Sequence, residues 1–251
     1  MKIAIIGAGI SAITLAKNLE KTSNVSLFEK SRDVGGRMAT RLSSPYEFDH
    51  GAQFFTAKHP DFKKFISPLL KENIIQQWNA RFAEFRNDKI LRTITWDSEY
   101  PHYVGVPGMN SISKHLSRDL DVKLNTKVNK VIKNSSNIWQ LFDNNSNNLG
   151  EFDWVISTAP AIQSAEILPQ YFMYHNNLLD RKMIGCFSLM LGFKKPLPLL
   201  WDAALITGAD ISWASVNSSK PGRSKSFTML IHSTNAWAEQ HLSDNPQRVI
   251  S

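Results

Sequence analysis

Apolar residues fall along this chain in two kinds of run. Ile3-Ala4-Ile5-Ile6 and Trp154-Val155-Ile156 are unbroken, the pattern of a strand covered on both faces inside a parallel sheet. Val25, Leu27 and Phe28 predict a second strand beside the first. Between them, residues 11–19 carry a helical pattern that opens directly after Gly7-Ala8-Gly9. The runs at 78–85 and 90–96 instead alternate, with Asn87-Asp88 as the turn between them, and predict an antiparallel hairpin. Helix signals follow Pro60 and recur over 110–120, with Asn110 or Ser111 as cap. Short strands are expected at 122–124, 128–133 and 139–142, with Asn144-Asn145-Ser146-Asn147-Asn148 as a turn. Further strands are expected at 185–193, 211–216 and 227–233, punctuated by Gly208-Ala209-Asp210 and Pro221-Gly222. A last helix is expected from Asn235 or Asp244 to the end of the chain.

The order of these elements is α/β: a Rossmann-like nucleotide domain interrupted by a mainly antiparallel one. The nucleotide-binding part is expected over residues 1–60 and 104–165, and the substrate-binding part over 61–103 and 166–251.

The strand-turn-helix at the start is a dinucleotide site in outline. Gly7 permits the tight turn, Gly9 leaves room for a phosphate, and Ala12 lets helix and strand pack closely. Ser11 begins a helix whose free N–H groups and positive dipole end favour a diphosphate. Glu29 ends the second strand at the spacing where a carboxylate accepts from the adenosine ribose hydroxyls, and it repels a 2′-phosphate. FAD or NAD is therefore expected rather than NADP. Downstream, Lys30, the Gly35-Gly36 pair, Arg37 and Met38 read as a second place where backbone and fixed positive charge approach phosphate. Phe48-Asp49-His50-Gly51-Ala52-Gln53-Phe54-Phe55 is a polar and aromatic cluster suited to a flat ligand.

Composition narrows the partners. With 251 residues and 42% hydrophobic content the chain buries a real core, and a net charge of +7 is scattered rather than gathered into an arm. No nucleic-acid partner and no membrane partner is expected, and an anionic small molecule suits the charge. Cys186 is the only cysteine, which excludes an intrachain disulfide and a cysteine metal cluster. It is expected as inert filling in an apolar strand. No metal site is expected, and a cytoplasmic location is. Trp96, Tyr100, Trp201 and Trp213 are candidates for a pocket wall, with core packing the default for each, and His59, His102 and His232 receive no role.

Several separated stretches then resemble one family, the bacterial renalase-like flavoproteins within the amine-oxidase-like FAD enzymes. These are Gly35-Gly36-Arg37-Met38-Ala39-Thr40-Arg41, the segment 48–56, Val104-Gly105-Val106-Pro107-Gly108-Met109, Pro196-Leu197-Pro198, Trp201-Asp202 and Asn217-Ser218-Ser219-Lys220-Pro221-Gly222-Arg223. The resemblance implies FAD as cofactor, with Ser11 near the pyrophosphate, Glu29 on the ribose and Arg37 near the phosphates. Gln53 and Phe54 would lie beside the flavin, and Val128 would meet adenine through its backbone. The implied reaction takes hydride from misreduced dihydro isomers of NAD(P)H, restores NAD(P), and passes the electrons to dioxygen as hydrogen peroxide. Such chemistry asks the protein mainly to position the donor, and no catalytic acid or base is assigned. Members of that family continue with a glycine-rich strand and a last helix not seen here, so weakened FAD binding is an expectation. The alternatives are a flavin amine oxidase or desaturase of another small substrate, and a weakly FAD-binding remnant without activity.

Overall fold

The computed structural model describes residues 1–245, 247 and 249. The chain forms two compact units, one of residues 1–37 with 113–183 and one of residues 38–112 with 184–251. These bounds group the residues by compactness. They place 38–60 and 104–112, expected in the nucleotide-binding part, in the second unit, and 166–183, expected in the substrate-binding part, in the first.

In the first unit a four-stranded parallel sheet runs in the order Asp121–Lys123, Asn24–Phe28, Lys2–Ile6, Trp154–Ser157. Alternate residues of the central strand explain why its apolar run is unbroken. Ile3 and Ile5 pack with Ala12, Ile13 and Ala16 of the helix Ile10–Leu19, while Ala4 and Ile6 pack on the other face. That second face is covered by Val128, Val131, Leu141 and Phe152 of an antiparallel layer, Val128–Lys133, Trp139–Asp143 and Asn148–Phe152. Burying side chains of this size contributes about 1.5–3 kcal/mol each, which is why a five-residue strand can anchor the unit.

The second unit is built on a six-stranded sheet in the order Ser188–Phe193, Phe227–Ser233, Ile211–Val216, Ala203–Thr207, Arg81–Arg86, Lys89–Thr95. Its neighbours are antiparallel except for Ala203–Thr207 with Arg81–Arg86, which run parallel. A three-stranded sheet of Phe55–Thr56, His102–Gly105 and Ile75–Gln77 and a hairpin of Arg41–Ser43 with Tyr46–Phe48 complete it. The helix Pro60–Lys71 starts where the proline signal put it, and His59 Nδ1 accepts from the Asp61 N–H to cap it.

The α/β class is as expected, and the strands at 211–216 and 227–233 fall on their expected limits. Others shifted. The expected strand at 185–193 begins only at Ser188, so Cys186 lies outside it and is exposed, not core filling. The helix expected over 110–120 is the shorter Ser111–Leu116. The last helix begins at Asn235 and runs to His241; the alternative start at Asp244 leads into residues 246, 248, 250 and 251, which lie outside the described residues. No helix among the described residues is long and apolar enough to cross a membrane.

Candidate active site

The first unit carries a nucleotide cradle. Gly7, at φ +102°, turns the chain out of the first strand, and its N–H donates to Phe28 O at 2.8 Å, tying the turn to the second strand. A side chain at Gly7 would be strained and would also meet Thr158 Oγ1 at 2.7 Å. Gly9 is different. A Cβ there would meet no atom within 4 Å, so the space above it is open. The second glycine pair comes to the same place: Gly35 donates to Ala8 O at 2.9 Å, and the site of a Gly36 Cβ lies 3.5 Å from Gly9 Cα. Arg37, next in sequence, is exposed. The helix after Gly9 has no side-chain cap, and Ser11 at its exposed start leaves the first-turn N–H groups free for an anion.

Glu29 is buried beneath this turn. Its Oε2 accepts from the Ala8 N–H and its Oε1 from the Ser31 N–H, each at 2.8 Å. A carboxylate has about four acceptor positions, so Glu29 can hold the turn and still accept from ribose hydroxyls. Ala12 is fully buried against the sheet. Lys30 is exposed and donates to Gln163 Oε1 at 3.3 Å. Val128 is buried at the start of its strand, where the pairing register shifts between Val128 and Lys130. Open space over Gly9, an uncapped helix start and a carboxylate with spare acceptor positions fit the ADP half of FAD.

The second unit holds a buried ionic cluster. The side chains of Asp49, Lys220 and Arg223 have relative exposures of 0%, 0% and 1%. Asp49 Oδ2 accepts from Arg223 Nη2 at 2.6 Å, from Arg223 Nε at 3.1 Å and from Lys220 Nζ at 3.3 Å. Its Oδ1 accepts from Thr40 Oγ1 at 2.8 Å and from the Met109 N–H at 3.0 Å. Burial alone would raise the Asp49 pKa, but Lys220, Arg223 and the Met109 N–H together hold it below the usual carboxylate value. Lys220 is pushed the other way: burial, helped by Arg223, takes it down to about 8 despite the attraction of Asp49. Its three N–H donors are fully used, on Asp49 Oδ2, Gln53 Oε1 and Asn217 Oδ1, and the ammonium lies 5.4 Å from the Trp78 ring.

Gln53 is buried with its carboxamide committed to the protein. Nε2 donates to Asp49 O and Gly51 O, while Oε1 accepts from Ser215 Oγ at 3.0 Å and Lys220 Nζ at 3.1 Å. Any contact with a ligand therefore goes through its backbone. Phe54, half-buried, centres an aromatic group, with ring centroids at 4.9 Å to Trp96, 4.9 Å to His102 and 5.7 Å to Trp213. Met38 packs at the edge of the same cluster. His102 stacks on Trp96 at 3.7 Å, and burial holds its pKa below the ordinary histidine value. Trp201 sits against Phe85 and Tyr100 is exposed, so neither joins this group. Among the described residues no cluster of His, Cys, Asp or Glu suits a metal ion.

Residues 5–69 match an NAD(P)-binding Rossmann-like domain, and residues 77–246, more than half of the chain, match flavin containing amine oxidoreductases. The chain belongs to the flavin-containing amine oxidoreductase family. FAD is its cofactor and oxidoreduction of a small molecule its chemistry. The putative protoporphyrinogen oxidase from Exiguobacterium sp. 255-15 is similar over 92% of this chain and 76% of its own, with a TM-score of 0.71 at 11% identity. Putrescine oxidase, in its wild-type form bound to putrescine, is similar over 99% of this chain and 79% of its own, with a TM-score of 0.71 at 13% identity. A protein from Pyrococcus furiosus covers 96% of this chain with 84% of its own at a TM-score of 0.67 and 10% identity. At such identities the likeness is one of fold.

Within this flavoprotein, sequence reasoning brought Gly7, Gly9, Gly36 and Glu29 to one place and chose the segments that build the ionic cluster. It did not assign Asp49, Lys220, Arg223, Asn217 or Ser215. The available signal was the presence of one acid in 48–56 and two cations in 217–223, both stretches already singled out.

Proposed function

We propose that this flavoprotein is a renalase-like oxidase, which takes hydride from misreduced dihydro isomers of NAD(P)H and passes the electrons to dioxygen. The supporting observation is that four stretches carrying the renalase-like resemblance are joined by hydrogen bonds in one buried network. Thr40, Asp49 with Gln53, Gly105 with Met109, and Asn217 with Lys220 and Arg223 come from those four stretches.

In this reading the cradle of Gly7, Gly9, Ser11, Ala12, Gly36 and Glu29 binds the ADP half, with Lys30 and Arg37 adding positive charge and Val128 meeting adenine through its backbone. FAD, when bound, supplies the two-electron acceptor. The segment from Met38 to Phe54 contributes Met38, the backbone at Gln53 and the Phe54 ring beside the flavin. The chain's own work is to hold the donor carbon in place and keep water away, and the half-buried Phe54 and Trp213 rings offer apolar surface for a nicotinamide ring. The balance is simple: the substrate loses a hydride and becomes NAD(P), and two electrons with two protons reduce dioxygen to hydrogen peroxide.

Anaerobic mixing of the FAD-loaded chain with these isomers tests the reading: bleaching of the flavin absorbance, with NAD(P) formed in equal amount, is expected. A second reading, oxidation of an amine, draws on the likeness to putrescine oxidase. Bleaching by an amine and by none of the dihydro isomers would select it.

A further inference from the structure

Residues 49–54 adopt neither helix nor strand, so no ladder of backbone hydrogen bonds sets their shape. Side chains do it instead. Gln53 Nε2 holds Asp49 O and Gly51 O, Asn217 Oδ1 accepts from the Asp49 N–H at 3.3 Å, Asn217 Nδ2 holds Glu47 O at 3.0 Å, and Ser188 Oγ holds His50 O at 2.8 Å. Lys220 donates to three of the side chains involved: Gln53, Asn217 and Asp49 itself. A carboxamide can rotate half a turn and exchange its donor and acceptor ends. With the Lys220 ammonium, which can only donate, held on Oε1, the rotated Gln53 would set its own donor group against that donor and leave two carbonyls unpaired.

We propose that Lys220 is a positioning residue for the flavin reaction: it fixes the Gln53 carboxamide and the Asn217 side chain, and through them the backbone of residues 49–53. The proposal rests on the reading that this segment lies beside the flavin. Lys220 does not touch substrate in this account. Its charge is costly to bury, and two cations share one carboxylate here, so the cluster carries a surplus positive charge. Pairing Asp49 with Arg223 alone would be neutral, which makes the lysine dispensable for charge balance and leaves orientation of the segment as its contribution.

The test is hydrogen–deuterium exchange on the full chain, wild type against Lys220→Met, in peptides covering residues 48–56 and in reference peptides from residues 10–19 and 139–143. Exchange at 49–54 is expected to quicken at least tenfold, with the reference peptides within twofold. Unchanged protection at 49–54 would overturn the proposal, as would equal acceleration in every peptide. Ser215→Ala removes a donor to the same Oε1 without altering charge, and if Lys220→Met does not fold, absence of local acceleration in Ser215→Ala overturns it instead. In the FAD-loaded protein, Lys220→Met is expected to retain flavin, since the cradle is untouched, but to shift its visible spectrum and slow anaerobic reduction at saturating donor at least tenfold. The wild-type reduction rate should also change near pH 8, a limb absent in the variant; the charged and titratable groups facing Lys220 are Asp49, Arg223 and His232, with His50 beside His232. Local loosening with an unchanged spectrum and reduction rate overturns the link to the reaction. Failure of the wild type to take FAD defeats the functional reading instead, and the exchange arm still decides Lys220.

Discussion

Raising the pH from about 8 to 10.5 is expected to stabilise this fold through one side chain, Lys220. In the unfolded chain its ammonium titrates at the ordinary 10.5, whereas burial holds it at about 8 in the folded protein. Between those values the unfolded state carries a proton that the folded state lacks, so the free energy of unfolding rises with pH across the window and is level on either side of it. The contribution is absent below pH 8 and complete above 10.5. Each tenfold difference in proton affinity corresponds to about 1.4 kcal/mol, so the rise is about 3 kcal/mol. Tyrosines and the other lysines titrate in the same window, and the Lys220→Met variant carries all of them. Subtracting its urea-unfolding free energies from those of the wild type, at half-unit steps from pH 7 to 11, therefore isolates Lys220. A difference curve that climbs by about 3 kcal/mol between pH 8 and 10.5 is the expected result. A flat or falling curve would refute the claim that the ammonium is buried at a cost, and with it the premise that the chain retains Lys220 for something other than stability.

Further outcomes concern the cradle and the cluster. Gly9→Ala adds a methyl group to open space, so urea stability should be unchanged within about 0.5 kcal/mol while FAD affinity, read by flavin fluorescence, falls at least tenfold; Gly7→Ala should lose both because of its positive φ and the Thr158 contact. Glu29→Gln keeps one acceptor end and places an amide where the Ala8 or Ser31 N–H points, and should cost about 1–3 kcal/mol in urea unfolding together with FAD binding. Asp49→Asn leaves Lys220 and Arg223 buried with no counter-charge, and a loss of about 3–5 kcal/mol is expected in the same measurement; a loss below 1 kcal/mol would contradict the burial seen here.

Legibility in the sequence followed the range of the interactions. The nucleotide cradle is local: strand, glycine turn and helix lie within twenty residues, and both glycine pairs announce themselves by type, so Gly7, Gly9, Gly36 and Glu29 could be named together. Ile211–Val216 and Phe227–Ser233, which follow one another along the chain and pair antiparallel with each other, were equally readable. Ala203–Thr207 was not, although it pairs antiparallel with the nearby Ile211–Val216; its other partner, Arg81–Arg86, lies over a hundred residues away and runs parallel to it. Tyr46–Phe48 and Phe55–Thr56 are too short to show a period.

The ionic cluster failed to show for a related reason, and Gln53 makes the point. Its place in the polar and aromatic cluster 48–55, two residues after Gly51, marks it for a flat ligand, and the motif resemblance implies a position beside the flavin. Yet every polar atom of its carboxamide is taken up by Asp49 O, Gly51 O, Ser215 and Lys220. A residue chosen by sequence as a ligand contact is, in its side chain, a brace for its own backbone. The two roles are compatible only if what meets the ligand is the backbone that the brace holds. That makes the shape of residues 49–53, rather than any single functional group on them, the feature the distant Asn217, Lys220 and Arg223 serve. It also explains why residues some 170 positions apart in the chain belong to one resemblance: the turn cannot keep its shape without the strand end that pins it.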